Sequence, residues 1–257
     1  MKTTRLSSLA RALTTALLGC SLPSISMSLA AAGAPFEDSM AQRTLACTAC
    51  HGPQGRAAAD GYYPRLAGKP AGYLYNQLLN FREERRHYGL MTQLIDPLSN
   101  AYLLEIAQYF SNLDVPYPAP LSSPAPSAVL RLGQQLAMQG DASRQIPACV
   151  QCHGQAMTGA LPDIPGLLGL PRDYLNAQLG AWKAGQRRAH SPDCMNAIVT
   201  RLSLDDINAV ASWIAAQPLP ANTRPAATRP ARAPGAEPMP CGSAPAPAGL
   251  SGPKGKP

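Results

Sequence analysis

Large aromatic side chains are scarce in this 257-residue chain, with three Phe and two Trp, and charged residues make up only 14% of it. So little bulky apolar material argues against one large side-chain core and for small domains that owe part of their stability to a bound group. No segment alternates convincingly between apolar and polar residues, which argues against a sheet-built fold. The longest N-terminal apolar run, Ala12 to Gly19, is well short of the ~20 residues a bilayer span requires. An excess of one charge is also missing where it would matter. The formal charge is +7, yet residues 35–217 hold 14 Lys+Arg against 14 Asp+Glu. The surplus comes from Lys2, Arg5 and Arg11 at one end and Arg224, Arg229, Arg232, Lys254 and Lys256 against Glu237 at the other. A nucleic-acid-binding face is therefore not supported.

What is present begins with an export signal. Lys2, Arg5 and Arg11 precede the apolar run, and small residues follow as far as Ala34, so residues 1–34 read as a secretory signal peptide. A competing reading is lipoprotein processing at Leu17-Leu18-Gly19-Cys20, which would acylate Cys20 and tether the protein to a membrane.

The main organising feature is an internal duplication. CTACHG at 47–52 matches CVQCHG at 149–154, and PRLAGKPAGYLYNQLLNF at 64–81 matches PGLLGLPRDYLNAQLGAW at 165–182. LMTQLIDPLSNAYLLEIAQYF at 90–110 matches CMNAIVTRLSLDDINAVASWI at 194–214. The Pro-rich stretch 116–126 between the copies reads as a linker. Leu103, Ile106, Ala107 and Phe110 fall at helical spacing, as do Ile207, Val210, Ala211 and Ile214. Ser99 and Ser203 stand where N-caps belong, and Asp206 gives the second a capping-box pattern. Residues 218–257 are Pro/Ala-rich, almost devoid of large apolar side chains, and read as a disordered tail.

Each copy opens with CxxCH, in which two thiols can form thioethers with the vinyl groups of one haem and the adjacent histidine can ligate its iron. The candidates are Cys47, Cys50 and His51, then Cys149, Cys152 and His153. A four-thiolate zinc site explains neither histidine, and the βαβ context of a thioredoxin-like motif is missing. Met91 and Met195 lie 40 and 42 residues after their histidines and are the candidate sixth ligands. A thioether favours ferrous iron and leaves no vacant position for substrate, the combination of an electron carrier. His87 and His190 read as polar loop residues at the haem edge, with axial ligation as the alternative. Pro64 and Pro165 are candidates to offer a backbone carbonyl to each proximal histidine. Tyr73, Tyr174, Gln77 and Gln178 fit helix packing or propionate hydrogen bonding. Cys194 reads as a small buried residue, and a disulfide to Cys241 is permitted in an oxidising compartment.

In these motifs the chain resembles the cytochrome c4 family, exported dihaem proteins made of two class I cytochrome c domains. The resemblance spans about residues 36–216. It implies an all-α fold of two tandem domains, 35–115 and 127–217, each wrapped around one covalently bound haem c with His/Met ligation. It also implies a periplasmic carrier, not an enzyme, working between a quinol-oxidising cytochrome bc complex and a terminal oxidase. The Pro/Ala-rich tail, Cys194 beside a ligand methionine, and the lipobox-like Cys20 depart from the family pattern. Two rivals follow from those departures. One is a dihaem oxidoreductase of the thiosulfate dehydrogenase or peroxidase type, in which Cys194 supplies a thiolate. The other is the cytochrome subunit of a membrane-bound dehydrogenase.

Overall fold

The computed structural model describes residues 37–57, 61–120, 122–231 and 239–245. The export segment 1–34, with Cys20, lies outside the described residues. Among the described residues no helix is long and apolar enough to cross a membrane.

The described fold is helical. The first half contains α1 (Met40–Arg43), α2 (Leu45–His51), α3 (Ala71–Arg82), α4 (Gly89–Ile95) and α5 (Asn100–Asn112). The second contains α6 (Ser127–Met138), α7 (Val150–His153), α8 (Arg172–Lys183), α9 (Cys194–Val199) and α10 (Leu204–Ala215). The strand content is one two-residue hairpin, β1 (Gly159–Ala160) against β2 (Ile164–Pro165), with a few isolated bridges.

The expected caps are in place. Ser99 accepts from the Tyr102 amide at 3.2 Å at the start of α5. At α10, Ser203 accepts from the Asp206 amide at 3.0 Å while Asp206 accepts from the Ser203 amide at 2.8 Å, so two otherwise orphaned donors are satisfied reciprocally. The apolar stripes point inward. Leu103, Ile106, Ala107 and Phe110 are buried with Leu74 and Leu79 of α3, and Ile207, Val210, Ala211 and Ile214 are buried in the second half. In that half α6 crosses α10 at Gly133, where any Cβ would collide with the Ala209 carbonyl. Only glycine permits so close an approach of the two helices.

Two regions differ from a reading of passive connectors. In the 116–126 stretch, Arg65 lies over the Tyr117 ring at 3.7 Å and donates to the carbonyls of Val115 and Pro116, while Tyr117 also fills the space beside Gly169 of the second half. The tail corrects the expectation of disorder over its described residues. Ala226 pairs with the β1 segment, Cys241 forms a disulfide with Cys194 at a Cα separation of 5.0 Å, and Ala244 is buried against the first half's core. Apolar content alone misjudges this segment because a covalent bond and polar contacts hold it.

Candidate functional site

Each CxxCH histidine ends a short helix and turns inward. His51 closes α2 and His153 closes α7, and both are buried. His51 Nδ1 lies 2.8 Å from the Pro64 carbonyl oxygen, and His153 Nδ1 lies 2.7 Å from that of Pro165. A carbonyl can only accept, so in each ring Nδ1 carries the proton and Nε2 keeps a free lone pair, the tautomer a metal ligand needs. Burial pushes both imidazole pKa values down and so favours that neutral form.

The thiols are unlike those of a redox motif or a zinc site. Burial pushes Cys47 up and Cys149 up to about 11, the opposite of an activated thiolate. Among the described residues no group of three or more His, Cys, Asp or Glu side chains is gathered as a metal site, so the four cysteines do not converge on one zinc.

A cavity of about 1830 Å³ runs through both halves. His51, Met91, His153 and Met195 all line it, with Cys47, Cys149 and Cys152. Cys50 is exposed on α2 and stands apart from this lining. Met91 lies in the first turn of α4 and Met195 in that of α9. Different devices hold the two methionine segments. Tyr63 and Tyr88 share a hydrogen bond at 3.2 Å, with Tyr63 set edge-on to His51 in the first half. In the second, Asp193 caps α9 and accepts from the Ala189 amide at 2.6 Å and the Trp182 indole at 3.3 Å. His87 and His190 also line the cavity. Arg85 donates to His190 Nε2 at 3.1 Å, which favours the polar loop reading for that residue.

Between the halves lies a feature that motif spacing did not show. Arg86 and Arg187, at equivalent positions of the two copies, form an isolated antiparallel bridge. Gln77 accepts from Arg86 at 3.1 Å and Arg187 at 3.0 Å, and Gln178 accepts from both at 2.7 Å. Tyr174 takes a further bond from Arg86 at 3.1 Å. The guanidiniums stack over Phe81 and Trp182 respectively. Neither Arg86 nor Arg187 pairs with a carboxylate among the described residues. Burial pushes the Arg187 pKa down, and repulsion by Arg86 adds to the effect.

Lys69 poses the same problem. It is buried, lines the cavity and crosses to the second half, where Nζ donates to the Gly166 carbonyl at 2.7 Å, one residue beyond the carbonyl that orients His153. Burial brings its pKa down to about 7, with Arg65 as a secondary cause. A cation buried without an acid is costly, so the seam, with Arg187 buried and Arg86 half-buried in the cavity wall, suits an apolar group with anionic edges, whereas Lys69 already has Gly166 O as its acceptor. A haem with its propionates is such a group, and paired thiols, an imidazole lone pair and a thioether are its usual protein ligands. The residues present therefore fit haem c.

Comparison with known proteins agrees. A family model described as cytochrome c matches residues 40–101. A thiosulfate dehydrogenase electron acceptor from Thiomonas intermedia is 39% identical over 176 residues, covering 67% of this chain and 79% of that protein. The crystal structure of reduced cytochrome c4 from Pseudomonas stutzeri superposes with a TM-score of 0.60 at 30% identity, covering 71% of this chain and 99% of the other. A thiosulfate dehydrogenase (TsdBA) from Marichromatium purpuratum gives a TM-score of 0.59 at 34% identity, covering 67% of this chain and only 36% of the larger one. With two homologous helical halves, each opening on a CxxCH motif, the chain belongs to the cytochrome c4-like family of dihaem class I cytochromes c, which carry electrons.

Proposed function

We propose that this protein is a periplasmic electron carrier with one haem c per half, and that it accepts electrons from a thiosulfate-oxidising dehydrogenase for delivery towards a terminal oxidase. Cys47 and Cys50 would hold the first haem with His51 and Met91 as axial ligands, and Cys149 and Cys152 the second with His153 and Met195. The observation that carries this reading is the cavity shared by both His/Met sets, with Arg86 and Arg187 at the seam. When bound, each haem supplies a one-electron couple. The chain's part is to orient His51 and His153 through Pro64 and Pro165, to exclude water with its apolar walls, and to set buried cations where anionic edges can meet them.

A carrier is preferred over an enzyme because Cys194, the one residue that could furnish a thiolate ligand, is joined to Cys241. The donor is inferred from relatives named as thiosulfate dehydrogenase electron acceptors, from Thiomonas intermedia and Stutzerimonas stutzeri. Near-infrared magnetic circular dichroism of the oxidised holoprotein tests the ligation. Two His/Met signals are expected, and a thiolate or high-spin signal on either haem would move the enzyme reading ahead. Stopped-flow mixing with a thiosulfate dehydrogenase and its substrate should then show rapid haem reduction, and a rate no higher than with substrate alone would remove that donor.

A further inference from the structure

The tail after α10 visits both halves in turn. Arg224 pairs with Asp114 of the first half at 3.0 Å. Ala226 then donates to the Gly159 carbonyl at 2.9 Å and accepts from the Leu161 amide at 2.8 Å, and Arg229 pairs with Asp163 at 2.7 Å. Cys241 is bonded to Cys194, and the Gly242 amide donates to the Pro192 carbonyl at 2.8 Å. At Gly242 the chain passes so close to the His190 and Ser191 carbonyls that a Cβ would collide with both. Finally the tail bridges Asp163 of the second half and Asn76 of the first. Ser243 donates to Asp163 at 2.8 Å and accepts from Asn76 at 2.7 Å, and the Ala244 amide donates to Asn76 at 3.0 Å.

Arg229, Met239, Cys241 and Gly242 thereby form part of the wall of the cavity that Met195 lines. The equivalent of Cys194 in the first copy is Leu90, which is 64% exposed. The same position thus fastens the tail in one half and faces solvent in the other. Little but the disulfide holds residues 239–244, since their remaining ties are a few partly exposed hydrogen bonds and one buried methyl. Such contacts do not by themselves offset the entropy of ordering a Pro/Ala-rich segment.

We propose that residues 239–245 form a disulfide-fastened strap that closes the second half's cavity beside Met195, and that a dithiol can release it. This rests on the reading of Met195 as an iron ligand. Cys194 and Cys241 are both half-buried residues. One thiolate of the dithiol attacks a sulfur of the Cys194–Cys241 bond to form a mixed disulfide, and its second thiolate displaces the protein sulfur. The dithiol leaves as a disulfide, and Cys194 and Cys241 take up two protons as thiols.

The test uses ferric full-length holoprotein with imidazole as probe, following loss of the thioether–iron charge-transfer band. Met91→Ala and Met195→Ala each remove one kinetic phase and so assign the two. Cys241→Ser should accelerate the second-half phase about tenfold or more and leave the first within about twofold, because the detached strap becomes far more populated. In the same variant the Ala244 amide should exchange faster with solvent while Ala226 stays protected. Wild-type protein treated with dithiothreitol, alkylated and re-oxidised at iron should match the variant. Unchanged exchange at Ala244 would overturn the strap. Faster exchange with unchanged imidazole kinetics would overturn its closing role, as would equal acceleration of both phases. Failure of Met195→Ala to remove a phase would count against the ligand assignment instead, and the exchange result would still decide whether the disulfide fastens the tail.

Discussion

Replacing Lys69 with leucine, the residue at the equivalent position 170 of the second copy, should change how stability depends on pH. The ammonium is buried with Arg65 as a like-charged neighbour, and Gly166 O is the acceptor it reaches. Burial brings its pKa down to about 7 in the folded protein, against 10.5 for an ordinary lysine. The unfolded chain therefore binds more protons between those values, so stability rises with pH across that window. Below pH 7 the folded state bears the whole penalty, about 5 kcal/mol at 1.36 kcal/mol per pH unit. Between pH 6 and 9 the gain should be about 2.5 kcal/mol. The assay is guanidinium unfolding of the reduced holoprotein at half-unit intervals across that range, wild type against Lys69→Leu. The variant loses the bond to Gly166 O, which shifts its curve by a pH-independent amount and leaves the slope informative. The difference in unfolding free energy, wild type minus variant, should climb with pH. Parallel curves would refute the reasoning, because they would mean that an acid pairs the ammonium in the loaded protein.

Two further outcomes follow from the site. Met195→Ala should lower the reduction potential of the second haem or make it high-spin, whereas Cys194→Ala should leave the resting spectrum unchanged, both read by visible absorption and redox titration. Arg187→Gln removes a buried cation from the seam and should lower the haem potentials by on the order of 1–2 kcal/mol per electron, measurable by spectroelectrochemistry. Unchanged potentials would show that this charge is neutralised within the protein.

Much of this architecture was legible because the chain states it twice. The paired CxxCH motifs, the methionines, the serine caps and the inward stripes of α5 and α10 are local patterns, and the carbonyls of Pro64 and Pro165 meet their histidines as the repeat suggested. What was not legible depends on residues distant in sequence. Gln77 and Gln178 read as packing or propionate partners, yet each accepts from both Arg86 and Arg187, a pattern that exists only once the two copies face each other. Lys69 gains its meaning from Gly166, 97 residues away. The tail misled for a different reason. Composition measures how much apolar surface a segment can bury, and it is blind to a segment held by Cys194, Asp163 and Asn76. Sequence permitted the cysteine pairing but had no geometry with which to require it.

The duplication also separates what the two sites share from what distinguishes them. Positions assigned the same chemistry by the proposed ligation are kept in both copies: the thiols, the histidines, the prolines that orient them and the methionines. Positions that differ lie around these. Arg65 and Lys69 face Gly166 and Leu170 in the alignment, and Leu90 faces Cys194. The first substitution pair puts two buried cations in one half, with Lys69 reaching over the seam to the segment that orients His153. A cation near a redox centre favours its reduced form, since reduction lowers the centre's own positive charge. The second pair leaves one half with an exposed leucine and fastens the other to the tail. On the proposed ligation, the inequivalence of the two sites comes from charge and cover around a common set of ligands.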